Sequence, residues 1–211
     1  VSLKNRIIVG SAAALLAMAG TASAAPELRD LGFGWQVLLP DADLIDIVVD
    51  EAASNSQRLV IEKFATFMDL NALDLVFTQT GANAAPRIVI TDEFIANQTG
   101  QNWVGFTNSL IAFGPGTSAA FNPAASAGIS ISPFTTISYS NANTVVDFAG
   151  GTVVNGAFWF PGLAMGALVV DVTLNPNGGS SFTLREIPQI PTPGTMALTV
   201  LAGLVASRRR R

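Results

Sequence analysis

The residues able to do chemistry are few, and the missing types narrow the field. The chain of 211 residues contains no histidine and no cysteine. That removes the commonest general base near neutral pH, the commonest transition-metal ligand, thiolate zinc sites and disulfides. A Ser-His-Asp triad cannot be assembled. Neither a G-x-x-x-x-G-K-[ST] phosphate loop nor a G-x-S-x-G nucleophile elbow occurs. Asp41, Asp43 and Asp46, with Asp50 and Glu51, form the densest acidic cluster. Several hard oxygens of this kind suit Ca²⁺. The spacing, however, lacks the EF-hand pattern and its central glycine. Interleaved Leu44, Ile45, Ile47 and Val48 favour a strand with solvent-facing carboxylates. Asp92 and Glu93 are neighbours, and on a strand they point to opposite faces. They therefore do not form the facing carboxyl pair that glycoside hydrolysis requires. Lys63 is the only lysine between the two terminal segments, so at most one Ser-Lys dyad is available, with no local pattern to support it. Trp35, Trp103 and Trp159 offer faces on which sugars stack, but their flanking glycines and apolar residues favour packing in a core or on a sheet. Asn97-Gln98-Thr99 has the spacing of a glycosylation sequon and reads better as a turn beside a strand. No catalytic residues, no metal and no cofactor are expected, and the chain reads as a non-enzyme.

The elements that must position these residues read as strands. Leu168, Val170, Val172 and Leu174 alternate with Asp171 and Thr173. The turn Asn175-Pro176-Asn177-Gly178-Gly179 follows, and then Phe182, Leu184 and Glu186 alternate with Thr183 and Arg185, which predicts a hairpin. Upstream, residues 144–148, Gly150-Gly151, 152–154, Asn155-Gly156 and 157–160 repeat the run-turn-run pattern. Asn155-Gly156 fits a type I′ hairpin turn. Residues 129–140 add a β-branched, Ser/Thr-rich run. In the first half, residues 33–39, 44–49 and 73–78 read as strands. Residues 57–68 fit an amphipathic helix or a strand followed by a turn, and periodicity does not separate the two. Residues 87–95 form a β-rich run that leads through a turn at 97–100 into 103–111. Residues 114–128, rich in Ala, Ser, Gly and Pro, read as a long surface loop.

The two ends read as addresses. Lys4 and Arg6 precede an apolar stretch over residues 7–19, and Ala22-Ser23-Ala24 is a small-x-small cleavage site ahead of Ala25 and Pro26. The apolar stretch is shorter than the roughly 20 residues that a membrane span needs. The expectation is an N-terminal signal helix over 1–24, cut by signal peptidase near Ala22, Ala24 and Ala25. At the other end, Pro191-Thr192-Pro193-Gly194-Thr195 precedes an uncharged apolar run over 196–206 and then Arg208, Arg209, Arg210 and Arg211. Residues 194–207, as a helix, would be about 21 Å long at 1.5 Å per residue. That is marginal against a hydrocarbon core of about 30 Å. The arginines would hold such a helix with its basic end in the cytoplasm.

This ordered tail resembles the PEP-CTERM sorting signal, in which a Pro-Glu-Pro motif, a membrane helix and an arginine cluster direct an exported protein to a membrane transpeptidase, the exosortase. Thr192 stands where that family has Glu. The resemblance implies recognition at Pro191, Thr192, Pro193 and Gly194, transient anchoring by the C-terminal helix, removal of the tail, and display or release at the surface of a bacterium that makes extracellular polysaccharide. Residues 90–106, with 147–156 and 182–188, are similar to a recurring element of such sorted proteins, a strand that ends in Asn-x-Thr-Gly before one that opens on Trp. This similarity implies an immunoglobulin-like or jelly-roll-like β-sandwich. Short strands at turn spacing support that fold class independently.

The expected organisation is therefore a signal peptide over 1–24, an all-β ectodomain over 25–188, and a sorting tail over 189–211. The body is acidic. Six of the eleven basic residues lie in the terminal segments, which leaves five against all fifteen acidic residues. Such a body is a poor nucleic-acid binder. The expected function is that of an exported structural or interaction protein of the cell surface or extracellular matrix. The alternative is a carbohydrate-binding module acting on extracellular polysaccharide.

Overall fold

The computed structural model describes residues 24–191, apart from the side chains of Asp92 and Glu93. Thirteen strands follow in order: β1 (Glu27–Gly32), β2 (Trp35–Leu39), β3 (Ile45–Val49), β4 (Leu59–Phe67), β5 (Leu73–Gln79), β6 (Arg87–Asn97), β7 (Trp103–Ile111), β8 (Ser118–Phe121), β9 (Thr136–Ser140), β10 (Val145–Val153), β11 (Phe158–Trp159), β12 (Leu168–Thr173) and β13 (Ser181–Gln189). Among the described residues there is no helix. The all-β class is as the sequence predicts. The expected helices over 1–24 and after Gly194 lie outside the described residues.

The strands form two sheets. One runs β1-β2-β5-β13-β7-β10-β9, and the other runs β3-β4-β6-β12-β8, with β11 paired to β6. Every pairing is antiparallel except β4 with β6. The inner faces follow the period-2 alternation of a half-buried strand. Trp35, Val37 and Leu39 of β2, Leu75 and Phe77 of β5, and Phe182 and Leu184 of β13 are buried from the first sheet. Leu59, Ile61, Ala65 and Phe67 of β4 and Leu168, Val170 and Val172 of β12 are buried from the second. Together they form one hydrophobic cluster, so the architecture fits a β-sandwich.

Aromatic rings bind the layers. Phe67 of the second sheet meets Trp103 and Phe106 of the first edge-on, at centroid separations of 5.4 and 5.5 Å. Trp159 lies 5.1 Å from Phe106, 5.0 Å from Phe148 and 4.9 Å from Phe134. Each tryptophan N–H also finds an acceptor: the Ala85 carbonyl for Trp35, the Thr99 hydroxyl for Trp103 and the Ile131 carbonyl for Trp159. A buried indole without such a partner would lose part of its packing gain to desolvation.

Most connections change sheet, and this overturns two of the expected hairpins. The turn over residues 175–179 carries the chain from β12, which pairs with β6 and β8, to β13, which pairs with β5 and β7. Asn155-Gly156 likewise leads from β10 in the first sheet to β11 in the second. Gly156 has φ +82° but Asn155 does not have positive φ, so the turn is not type I′. Its Asn155 side chain instead accepts from Gly100 N–H at 2.8 Å, tying two sheet-crossing turns together. Gly150-Gly151 is a bulge inside β10 rather than a break. A Cβ on Gly151 would collide with the Pro133 carbonyl, so the backbones approach there only because the residue is glycine.

Other segments resolve as follows. Within residues 57–68, Leu59–Phe67 is strand, as β4, and no helix forms. Of residues 129–140, only Thr136–Ser140 is strand. Residues 114–128 are not wholly loop, because β8 lies within them and buries Ala119 and Phe121 at the edge of the second sheet.

Trp159, 1% exposed, touches three rings, whereas its neighbour Phe158 is 50% exposed on the outer face. Trp159→Ala is expected to lower the unfolding free energy by about 3–5 kcal/mol, and Phe158→Ala by less than about 1 kcal/mol. Urea titration of both variants checks the contrast.

Candidate functional site

The polar groups that the fold gathers most tightly lie inside the sandwich. β4 reads Leu59-Val60-Ile61-Glu62-Lys63-Phe64-Ala65-Thr66-Phe67, and its alternation puts Lys63 on the same face as Leu59, Ile61, Ala65 and Phe67. In β13 the alternation puts Glu186 in line with Phe182 and Leu184. In β7, Asn108 lies in line with Phe106 and Leu110. All three polar side chains are fully buried, at 0% exposure.

Register and distance bring them together. Glu186 and Asn108 are directly paired across β13 and β7, a relation that sets Cβ atoms about 4.5–5.5 Å apart. From the opposite sheet, Lys63 Nζ reaches Glu186 Oε2 at 3.1 Å. Beside Lys63, the β4–β6 register shifts between Glu62 and Phe64, where Asp92 and Glu93 oppose the single residue Lys63. This is a bulge of the kind that re-aims a strand beside a functional position.

The hydrogen bonding within this group is incomplete. Asn108 Nδ2, Asn108 Oδ1 and Glu186 Oε1 are buried without a partner. Leaving such atoms unsatisfied costs about 1–3 kcal/mol each. A buried ion pair also loses hydration that its mutual attraction only partly restores. The site thus holds an amine, a carboxamide and a carboxyl in one water-excluded space, set by three strands of two sheets. Its possible chemistry is proton transfer and amide chemistry.

Residue pattern carried a signal for this site. In each of the three strands a polar residue takes a position where the alternation demands an apolar one. In the sequence Lys63 is an isolated lysine and Glu186 falls in line with Phe182 and Leu184, but no local pattern links the two or marks Asn108.

The residues singled out from sequence fall elsewhere. Asp46 lies exposed on β3 and is held by Arg29, while Asp41 accepts from Asp43 N–H in a turn and Asp50 accepts from Ala53 N–H. Among the described residues, no three acidic side chains gather where they could hold a metal ion. Trp35, Trp103 and Trp159 are 0%, 0% and 1% exposed and so present no face to a ligand. Ala24 and Ala25 lead directly into β1, and Pro191 stands two residues after β13. Ala22, Thr192, Pro193, Gly194 and Arg208, Arg209, Arg210 and Arg211 lie outside the described residues.

Electrostatics at the surface are local. Arg87 donates to Asp171 at 2.6 Å and holds that carboxyl below the usual carboxylate range, helped by Asn122 Nδ2. Arg185 grips Asp74, its cross-strand partner, through two bonds of 2.7 Å.

Asn97, the first residue of the apparent sequon, is the keystone of a turn. Its Nδ2 donates to the carbonyls of Gln101 at 2.8 Å and Val153 at 3.0 Å, and its Oδ1 accepts from both the N–H and the hydroxyl of Thr99. A fully buried amide used in this way has no room for a glycan. The chain matches no family model, no curated protein and no solved structure.

Asn97→Asp would aim a carboxylate at two carbonyl oxygens. It is expected to lower the unfolding free energy by about 3 kcal/mol, read by urea titration at neutral pH.

Proposed function

We propose that this chain is an exported bacterial protein of the cell surface or extracellular matrix, with an immunoglobulin-like or jelly-roll-like β-sandwich as its ectodomain. It acts by structure and interaction and not by catalysis on a substrate. Signal peptidase and an exosortase are its processing partners, and nucleic acid is not a partner. Before cleavage the C-terminal helix anchors it in the inner membrane.

The observation that carries this reading is the ordered tail of Pro191-x-Pro193, an uncharged apolar run and Arg208–Arg211, paired with a basic, apolar, small-x-small leader. The position of the strands agrees with it. They begin at Glu27 and end at Gln189, so both segments flank the sandwich in sequence. The charge balance also agrees, since an acidic body repels other polyanions and stays soluble.

A second reading, binding of extracellular polysaccharide, rests on a different surface from the tryptophans. Phe158 and Phe160 are exposed and crowd against Phe94 at centroid separations of 4.8 and 5.2 Å, with Phe64 at 6.3 Å from Phe94. Exposed aromatic patches of this kind mark interaction sites.

Expression of the tagged full chain in its native host, followed by fractionation and intact mass, tests the first reading. The expected product lies outside the cytoplasm, begins near Ala25 and has lost the tail beyond the Pro191–Pro193 region. Full-length protein retained in the cytoplasm would contradict it. For the second reading, Phe158→Ser/Phe160→Ser is expected to abolish any retardation of the protein in a gel cast with the host polysaccharide, with the unfolding midpoint little changed.

A further inference from the structure

Three observations meet at one point in the core. Lys63 Nζ stands 3.1 Å from Glu186 Oε2, with both side chains fully buried. Asn108 is directly paired with Glu186 on the neighbouring strand. Of the four buried side-chain polar atoms without a partner among the described residues, three belong to Asn108 and Glu186. Buried polar groups are ordinarily satisfied, and those that are not call for a chemical reason.

We propose that Lys63 and Asn108 are joined by an intramolecular amide bond between Lys63 Nζ and Asn108 Cγ, formed by the folded protein itself with Glu186 as proton carrier. The chemistry needs no other reagent. In an interior that penalises separated charges, the Glu186 carboxylate takes a proton from the Lys63 ammonium, giving a neutral amine and a carboxylic acid. The amine lone pair attacks Asn108 Cγ, and the C=O π electrons move to Oδ1, which the Glu186 acid stabilises by hydrogen bonding. A second proton passes from the attacking nitrogen to Nδ2 through the same carboxyl group. The carbonyl re-forms, the Cγ–Nδ2 bond breaks with its electron pair on nitrogen, and ammonia leaves. A primary amine and a primary carboxamide thus become a secondary amide and ammonia, with no oxidation or reduction. Glu186 retains the proton it first took.

The product accounts for the unsatisfied atoms. Nδ2 departs, and the new amide oxygen accepts from protonated Glu186. The buried ion pair becomes a neutral network. Glu186 holds the amine at 3.1 Å and is itself the direct cross-strand partner of Asn108, and this placement on strands of two packed sheets supplies the proximity that a slow aminolysis requires. The result is a covalent tie between β4 of one sheet and β7 of the other. Because it depends only on the folded sandwich, this inference is independent of how the termini are processed.

The test is mass spectrometry of the full chain, unfolded and digested with trypsin. The expected result is a branched peptide in which the segment containing Lys63, uncut at that lysine, is joined to the segment containing Asn108, lighter than their sum by one ammonia. Lys63→Ala and Asn108→Ala are expected to lack the branch. Glu186→Gln keeps the shape and both reacting groups, and it is expected to lose the branch while retaining the strand signature in far-ultraviolet circular dichroism. Should the variants fail to fold, the wild-type digest alone decides. Complete tryptic cleavage after Lys63, with the unbranched Asn108 segment at full mass, would overturn the proposal and leave an ordinary buried polar contact. So would a branched product in folded Glu186→Gln at wild-type yield.

Discussion

The rest of the structure depends on a dry layer between two sheets that must also hold charge. Lys63 and Glu186 project into that layer from opposite sides and meet at 3.1 Å. A lone ammonium or carboxylate there would lose hydration worth several kcal/mol. Burial of each residue is offset in part by its contact with the other. The pairing therefore fixes how β4 stands against β13, and neighbouring contacts inherit that register. Phe67, four residues along β4, is then set against Trp103 and Phe106 of β7. Ring packing adds to the aliphatic burial that holds the layer together.

Chain topology reinforces the same layer. Among the described residues, β1–β2, β3–β4 and β9–β10 are consecutive strands that pair with each other, while most other connections carry the chain from one sheet to the other. Such crossings leave turns at the rim whose backbone groups need partners other than a ladder. Asn97 and Asn155 meet that need. Asn97 binds the carbonyls of Gln101 and Val153, and Asn155 accepts from Gly100 N–H. One end of the sandwich is thereby laced by side-chain amides, directly above Trp103, whose N–H is taken by Thr99.

Much of this was legible in the sequence, and the failures have physical causes. Period-2 alternation in residues 35–39, 45–49 and 168–173 marks strands because each has one buried face. The segment 57–68 was ambiguous because Lys63 sits on its apolar face and breaks both templates. Asn155-Gly156 and residues 175–179 have hairpin chemistry, yet a turn's residues set its local bend and not which sheet receives the next strand. β8 escaped because small residues, Ser118, Ala119 and Ala120, make up most of it. The candidate site was legible only as three polar exceptions to apolar alternation. What no local pattern reveals is that residues 63, 108 and 186 converge, since that follows from long-range pairing of β4, β7 and β13.

Taken together, these features describe a module whose strength lies in its interior and whose outer surface is acidic, with one exposed aromatic patch. The account's central claim is that the two sheets are one cooperative unit clamped at Lys63 and Glu186. Native-state hydrogen exchange tests it most directly. Backbone amides of residues 61–64 in β4 and 185–187 in β13 are predicted to exchange with the same, highest free energy of opening, that of global unfolding. Protection that is high in one sheet and lost in the other at a distinctly lower free energy would contradict it.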